Sequence, residues 1–198
     1  FNNLILTFFL KINMKTKTQE KFDKIINEGF QNILKPFGFK KKGNNFYLQL
    51  DGLGQIINIQ KSKWSTKDEI SFTINTGVFV PEYWSVFYNY QNAEIPKFPT
   101  EPVCLIRKRI GEIRKQNDTW YDLKNNTDEN IIIEEMKTNQ KDLLEIINNV
   151  LIDEEYRNAI FTDRLLQAEK SIKKEMEKLS SKVDIAVSHI DDLIRKFV

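Results

Sequence analysis

The chain holds 198 residues, 40% of them apolar and 29% charged, with a formal net charge of +2. This is enough apolar material for the core of one domain and excludes gross disorder, while the near balance of charge excludes a field strong enough to announce a nucleic acid or an anionic membrane as partner. The single cysteine, Cys104, excludes an intramolecular disulfide and can give no metal site more than one thiolate, which fits a reducing cytoplasm.

In chain order, the sequence opens on Phe1, and Met14-Lys15-Thr16-Lys17 reads as a natural start just ahead of a helix. Residues 1–13 are therefore read as a non-native or dispensable extension, with an interfacial anchor as the alternative. Their apolar run from Leu4 to Leu10 is far shorter than the roughly 20 residues that span a bilayer. It also lacks the basic flank and small-residue cleavage site of a secretory signal, so no membrane is expected as a partner. Phe22, Ile25, Ile26, Phe30, Ile33, Leu34 and Phe37 then recur at helical spacing, with Thr16 and Gln19 placed to form a capping box and Pro36 and Gly38 placed to end the helix. Beyond Lys40-Lys41-Lys42 and the turn Gly43-Asn44, Phe46, Leu48 and Leu50 alternate with Tyr47, Gln49 and Asp51, the period of a half-buried strand. Asp51-Gly52-Leu53-Gly54 permits a reversal into a second strand over residues 55–62. A third follows over residues 69–77 with Ile70, Phe72 and Ile74 on its apolar side, so an antiparallel meander is expected.

Residues 80–102 carry Pro81, Pro96, Pro99 and Pro102 among Trp84, Phe87, Tyr88, Tyr90 and Phe98, which predicts a short helix and then an ordered aromatic loop wrapping the sheet. Further strands are expected over residues 103–107 and 119–123, although the run with Arg107 and Arg109 equally suits the start of a helix. From about Glu134 the pattern is helical, first over residues 141–151 and then over 153–197, a stretch without Gly or Pro. There Ile172, Met176, Leu179, Val183, Ala186, Ile190, Leu193 and Phe197 alternate in steps of four and three, the a/d seam of a coiled coil. Ile185, Val187 and Ile194 broaden the stripe toward that of a helix packing on its own domain. That packing is expected, with a homodimer through this helix as the alternative. The whole reads as an α+β protein, an N-terminal helix packed on an antiparallel sheet over residues 14–152, followed by a C-terminal helical segment over 153–198.

Most chemical motifs are absent from the sequence. The only histidine, His189, falls near the end of the long helix and reads as a solvated side chain rather than part of a Ser-His-Asp or Cys-His system. Gly52-Leu53-Gly54 lacks a third glycine and precedes a strand, so it reads as a hairpin turn rather than a phosphate-binding loop. A helix followed by strands, with Asp51 ahead of Gln60, Lys61 and Lys63, is similar to the arrangement of metal-dependent nucleases, but the spacing fails. Gln60 stands two residues before Ser62, and the lysines fall on the opposite face of the strand. One carboxylate is too few for a dedicated magnesium site. No catalytic residue, metal site or cofactor is expected.

What remains is a polar, aromatic and basic group around the sheet. Asn58, Gln60 and Ser62 share one face of their strand and Ser71, Thr73 and Asn75 one face of the next, with Lys61, Lys63 and Trp64 at the connecting turn. Such rows ordinarily mean a solvated sheet face. Amides beside Trp also supply the orientable hydrogen bonds of a binding surface, which Arg107, Arg109, Trp120 and Tyr121 would extend. The expected function is non-enzymatic binding of a protein partner through Asn58, Gln60, Lys61, Ser62, Trp64, Thr73, Asn75, Arg107, Arg109 and Trp120, or through the aromatic loop. The alternative is a nucleic-acid binder using Lys40 to Lys42, Lys61, Lys63, Arg107 and Arg109 with Trp64 for stacking; a metal-dependent nuclease-like enzyme comes third.

The runs Leu34-Lys35-Pro36-Phe37-Gly38-Phe39-Lys40-Lys41, Phe46-Tyr47, Ile57-Asn58-Ile59-Gln60-Lys61-Ser62-Lys63-Trp64 and Phe72-Thr73-Ile74-Asn75-Thr76-Gly77-Val78, in that order, resemble the bacterial family of domain of unknown function 4304. Cys104 to Gly111 and Asp118-Thr119-Trp120-Tyr121 look like its later landmarks, and the resemblance covers roughly residues 18–150. It implies an α+β domain and carries no activity, substrate or cofactor. The helical segment after about Asp153 is longer than the family leads one to expect. By analogy alone, small cytosolic bacterial domains of this kind look similar to immunity proteins, which neutralise a toxin by binding it.

Overall fold

The computed structural model describes residues 15–87 and 94–197. The extension over residues 1–13, together with Tyr88 and Tyr90 of the aromatic loop, lies outside the described residues. The chain divides into two compact units, one up to Ile152 and the other from Asp153 onward.

The first unit begins with α1 (Lys17–Lys24), capped as the spacing predicts: Thr16 Oγ1 accepts from the Gln19 amide at 3.3 Å and Gln19 Oε1 from the Thr16 amide at 3.0 Å. The periodicity predicts one α-helix up to Phe37. Instead α1 runs into a π-helical stretch (Ile25–Gln31), a single α-turn (Asn32–Leu34) and a 3-10 turn (Lys35–Phe37). The departure centres on Gly29, where a Cβ would lie 3.5 Å from the Cα of Ile133. Gly29 thus packs against another helix, and glycine is also a weak α-former, so leaving α geometry there costs little.

Six strands form one antiparallel sheet: β1 (Lys40–Lys42), β2 (Asn45–Gln49), β3 (Gly54–Lys61), β4 (Ile70–Phe79), β5 (Ile106–Arg109) and β6 (Tyr121–Leu123). The meander β2–β3–β4 follows from the alternation of apolar and polar residues. β1 was not among the expected strands, because three consecutive lysines carry no apolar alternation. It pairs with Asn45, Phe46 and Tyr47 at the sheet edge, where ammonium groups discourage a further strand from adding. Both β5 and β6 pair with the outer edge of β4, β6 along Ile70 to Phe72 and β5 along Asn75 to Val78.

The first sheet face is the main core. Phe22, Ile25, Phe30 and Leu34 pack on Phe46, Ile57, Ile59, Phe72 and Ile74. Phe22 meets Phe72 edge-on with ring centres 5.4 Å apart, and truncating a Phe so placed costs about 3–5 kcal/mol. The second face is half covered. Tyr47, Ile56, Phe79 and Cys104 lie under Trp84, Phe98 and Val103, so α2 (Pro81–Phe87) and the aromatic segment after it do wrap the sheet. Gly77 accommodates this layer, since a Cβ there would stand 2.8 Å from the Cys104 Sγ.

After β5 the chain turns into α3 (Ile110–Ile113), so the run with Arg107 and Arg109 is both things the pattern allowed, a strand ending at Arg109 and then a helix. α4 (Glu129–Thr138) and α5 (Gln140–Ile152) close the first face with Ile132, Ile133, Met136 and Leu143. α4 starts earlier than the expected Glu134 because Asp128 caps it, accepting from the Asn130 amide at 3.0 Å. The second unit is α6 (Glu154–Phe197), 44 residues long. Ile172, Met176, Leu179 and Val183 are exposed along it. Among the described residues no helix is long and apolar enough to cross a membrane.

Candidate functional site

Strand register places Asn45 opposite Asn58, Asn58 opposite Asn75, and Asn75 opposite Arg109. Directly opposed residues share a face, so four strands bring these side chains into one row on the second sheet face, beside the aromatic cover. The row is hydrogen-bonded throughout. Asn58 Nδ2 donates to Asn45 Oδ1 at 2.8 Å, Asn75 Nδ2 donates to Asn58 Oδ1 at 3.2 Å and to Gln60 Oε1 at 2.7 Å, and Arg109 Nε donates to Asn75 Oδ1 at 3.2 Å. Asn75, at the hub, is only 5% exposed.

The row continues past the sheet. Arg109 Nη1 donates to Asp118 Oδ2 at 2.6 Å, the Trp120 Nε1–H donates to the same oxygen at 3.0 Å, and the guanidinium lies 5.5 Å from the Trp120 ring centre. The Trp120 N–H, followed by Arg109, holds the Asp118 carboxyl below the usual carboxylate range.

The segment between β5 and β6 folds back to make this possible. Lys115 adopts a positive φ of 54°, the Gln116 amide donates to the Gly111 carbonyl at 2.8 Å, and a Cβ on Gly111 would collide with the Asn117 carbonyl. Thr73 Oγ1, fully buried, donates to the Thr119 carbonyl at 2.8 Å and pins the returning loop to β4. From the other side, Arg114 ties α3 to the helices, donating from Nε to Asp142 Oδ2 at 2.8 Å and from Nη1 to Glu135 Oε1 at 2.6 Å. Tyr121, expected as part of the surface, is instead buried against Phe72 with ring centres 5.2 Å apart and donates to Glu135 Oε1 at 2.6 Å. Burial pushes its phenol pKa up.

Row and loop border a cleft of about 390 Å³ lined by Gln60, Asn75, Arg107, Arg109, Glu112 and Gln116. Glu101, which also lines it, is 7% exposed and is gripped by both prongs of Arg107, Nε to Oε1 at 2.6 Å and Nη2 to Oε2 at 3.2 Å.

Of the residues nominated from sequence, Asn58, Gln60, Asn75, Arg107, Arg109 and Trp120 are brought together here. Thr73 and Asn75 are internal rather than solvated, one as the anchor of the loop and the other as the hub of the row. Lys61 lies on the opposite face, its ammonium 4.1 Å from the centre of the Phe22 ring. Ser62 and Trp64 sit on the β3–β4 hairpin, where Ser62 Oγ accepts from the Trp64 amide at 3.2 Å and Trp64 is 80% exposed beside Lys63. Sequence reasoning missed Asn45, Glu101, Glu112 and Gln116 altogether and had Asp118 only as a family landmark. The signal for Asn45 was available, since the hairpin turn at Asp51 to Gly54 sets Asn45 opposite Asn58. Among the described residues no group of three His, Cys, Asp or Glu side chains could hold a metal ion; the side chain of His189 lies outside the described ones.

A family model described as Domain of unknown function (DUF4304) matches residues 30–184. The match starts later than the resemblance read from the sequence and runs past Asp153 well into α6, so most of the long helix falls within the family's span. No curated protein and no solved structure matches the chain.

Proposed function

The chain belongs to the family described as domain of unknown function (DUF4304), and on that footing we propose that it is a binding protein rather than an enzyme, taking a protein partner on the polar half of its second sheet face. The observation that carries this reading is the unbroken hydrogen-bonded row from Asn45 to Trp120, ordered within the chain itself and bordering an open cleft. Groups fixed before a partner arrives lower the entropy lost on association, and Arg and Trp are among the side chains that carry most interface energy. The ionisable groups of the cleft are committed to one another. Asp118, held below the usual range, is a poor proton acceptor, and Glu101 is engaged at both oxygens.

A protein is favoured over a nucleic acid because each base along β5 faces an acid. Arg107 pairs with Glu101, Lys108 with Glu112 and Arg109 with Asp118, so a phosphate backbone would meet carboxylates wherever it met cations. Sequestration of its partner in the cytoplasm, in the manner of an immunity protein, is the kind of binding that suits such a domain.

Capture by the 198-residue chain tests the proposal. The captured protein, once purified, is expected to bind at least ten-fold more weakly to Arg109→Ala and Trp120→Ala and equally well to Trp64→Ala. Its affinity should fall less than ten-fold between about 50 and 200 mM salt, whereas phosphate-dominated binding falls about 10³-fold or more over that range. Recovery of nucleic acid with that steep dependence, or a partner indifferent to Arg109 and Trp120, overturns the proposal.

A further inference from the structure

We propose that the cleft is a carboxylate-receiving site, so that the part of the partner entering it is an extended acidic peptide; this rests on the reading of the face as a protein-binding surface. The argument comes from the groups that the row leaves over. The amide acceptors of the row are satisfied from within: Asn45 Oδ1 by Asn58, Asn58 Oδ1 and Gln60 Oε1 by Asn75, and Asn75 Oδ1 by Arg109, while Asp118 gives Oδ2 to Arg109 and Trp120 and keeps Oδ1 at the rim of the cleft. Both oxygens of Glu101 are likewise taken by Arg107. Its donors are not. Arg109 engages Nε and Nη1 and keeps Nη2, while Gln60 accepts with Oε1 and keeps Nε2, and neither group has a partner among the described residues.

Both residues line the cleft, so a guanidinium N–H and an amide N–H remain for whatever enters. Two donors on separate side chains, one of them charged, match the two oxygens of a carboxylate better than the one oxygen of a peptide carbonyl. The volume of about 390 Å³ is at the small end for ligand clefts and suits side chains rather than a folded element. Net charge argues against a polyanion, since the three acids lining the cleft offset its three bases. A single carboxylate needs only Arg109 and Gln60 and meets one acid, Asp118, already paired with Arg109, whereas a phosphodiester chain would pass Glu112 as well.

The test uses the full chain and two blocked hexapeptides, Gly-Gly-Glu-Glu-Gly-Gly and its Gln-Gln counterpart, titrated by amide chemical shifts. The acidic peptide is expected to saturate and to bind at least ten-fold more tightly than the neutral one, with the largest shifts at Gln60, Arg109 and Trp120. Gln60→Glu, which keeps an acceptor for Asn75 and removes the Nε2 donor, should weaken the acidic peptide at least five-fold without lowering the melting temperature, and Arg109→Lys should weaken it while leaving the fold intact. Equal binding of both peptides, no saturation by the acidic one, or tighter binding of an oligothymidylate at the same residues overturns the proposal. Failure of the wider reading looks different. If Arg109→Ala and Trp120→Ala abolish partner capture while the peptides are not told apart, the face binds protein but the carboxylate assignment falls. If the acidic peptide binds selectively while capture ignores Arg109, the cleft stands and the protein-binding reading falls.

Discussion

Asn75 uses both ends of its carboxamide to join three strands, and this decides what the polar row can be. A solvated amide contributes little to stability, whereas a buried one whose partners are removed leaves unsatisfied groups costing about 1–3 kcal/mol each. At 5% exposure Asn75 belongs to the second class. The alternation of β3 and β4 was enough to place Asn58, Gln60, Thr73 and Asn75 on one face, because strand period is local. It could not say that the face is half roofed, since the roof is built from α2 and residues 98–120, which are remote in sequence from β3. The Arg109–Asp118 contact was illegible for the same reason, eight residues lying between the two as α3 and its return loop. That contact also sets a pH dependence. Asp118 is depressed in the folded chain, so its interaction with Trp120 and Arg109 is fully present above the unfolded carboxylate pKa of about 3.9 and is lost as pH falls through the lower folded value. An acid titration of Trp emission, taken as the difference between the parent and Trp120→Phe, should therefore have its midpoint below about 3.9. It should vanish in Asp118→Asn. A midpoint at or above the ordinary carboxylate value would mean that the contact is not maintained in solution.

Among the elements, the segment between β5 and β6 shapes the site most. β4 is long enough to pair with both short strands, and the excursion between them, α3 and its return loop, supplies Glu112, Gln116 and Asp118 to the cleft. Its tightness depends on Gly111, which lies against the Asn117 carbonyl with no room for a methyl group. Gly111→Ala is expected to push the loop away from Arg109 and to cost about 1–3 kcal/mol, the range for forced overpacking. Denaturant unfolding gives the cost, and loss of the Trp120 acid titration reports the displacement. A variant of parental stability that keeps the titration would show that the loop has slack. Elements with strong apolar periodicity, α1 and β2 to β4, were legible from the chain because burial dictates their pattern, and α6 was legible from its stripe and its lack of Gly and Pro. β1 was not, being an edge strand of lysines, and neither was the π-helical stretch, which packs at Gly29 on Ile133, about a hundred positions away.

At the scale of the whole molecule, the stripe on α6 bears on how many chains act together. Ile172, Met176, Leu179 and Val183 are 53–65% exposed, and Ile185 and Val187 are also more than half exposed. Large apolar side chains repeating in steps of four and three are stabilised by a matching helix, and an exposed apolar stripe of this length signals association. A second copy running antiparallel would supply that match: with Met176 set against the other chain's Leu179, Glu175 of each chain would fall beside Lys182 of the other, making the flanking charges complementary twice over. Sedimentation equilibrium of the full chain is therefore expected to give twice 23.4 kDa. Leu179→Glu should return it to monomer with the sheet signal and its melting unchanged, since the α6 stripe would then stabilise the dimer and not the sheet. Exchanging the charges, Glu175→Lys with Lys182→Glu, should restore pairing that either substitution alone weakens. A parent chain that is monomeric at micromolar concentration and loses its cooperative unfolding on Leu179→Glu would instead mean that the stripe is covered by its own chain.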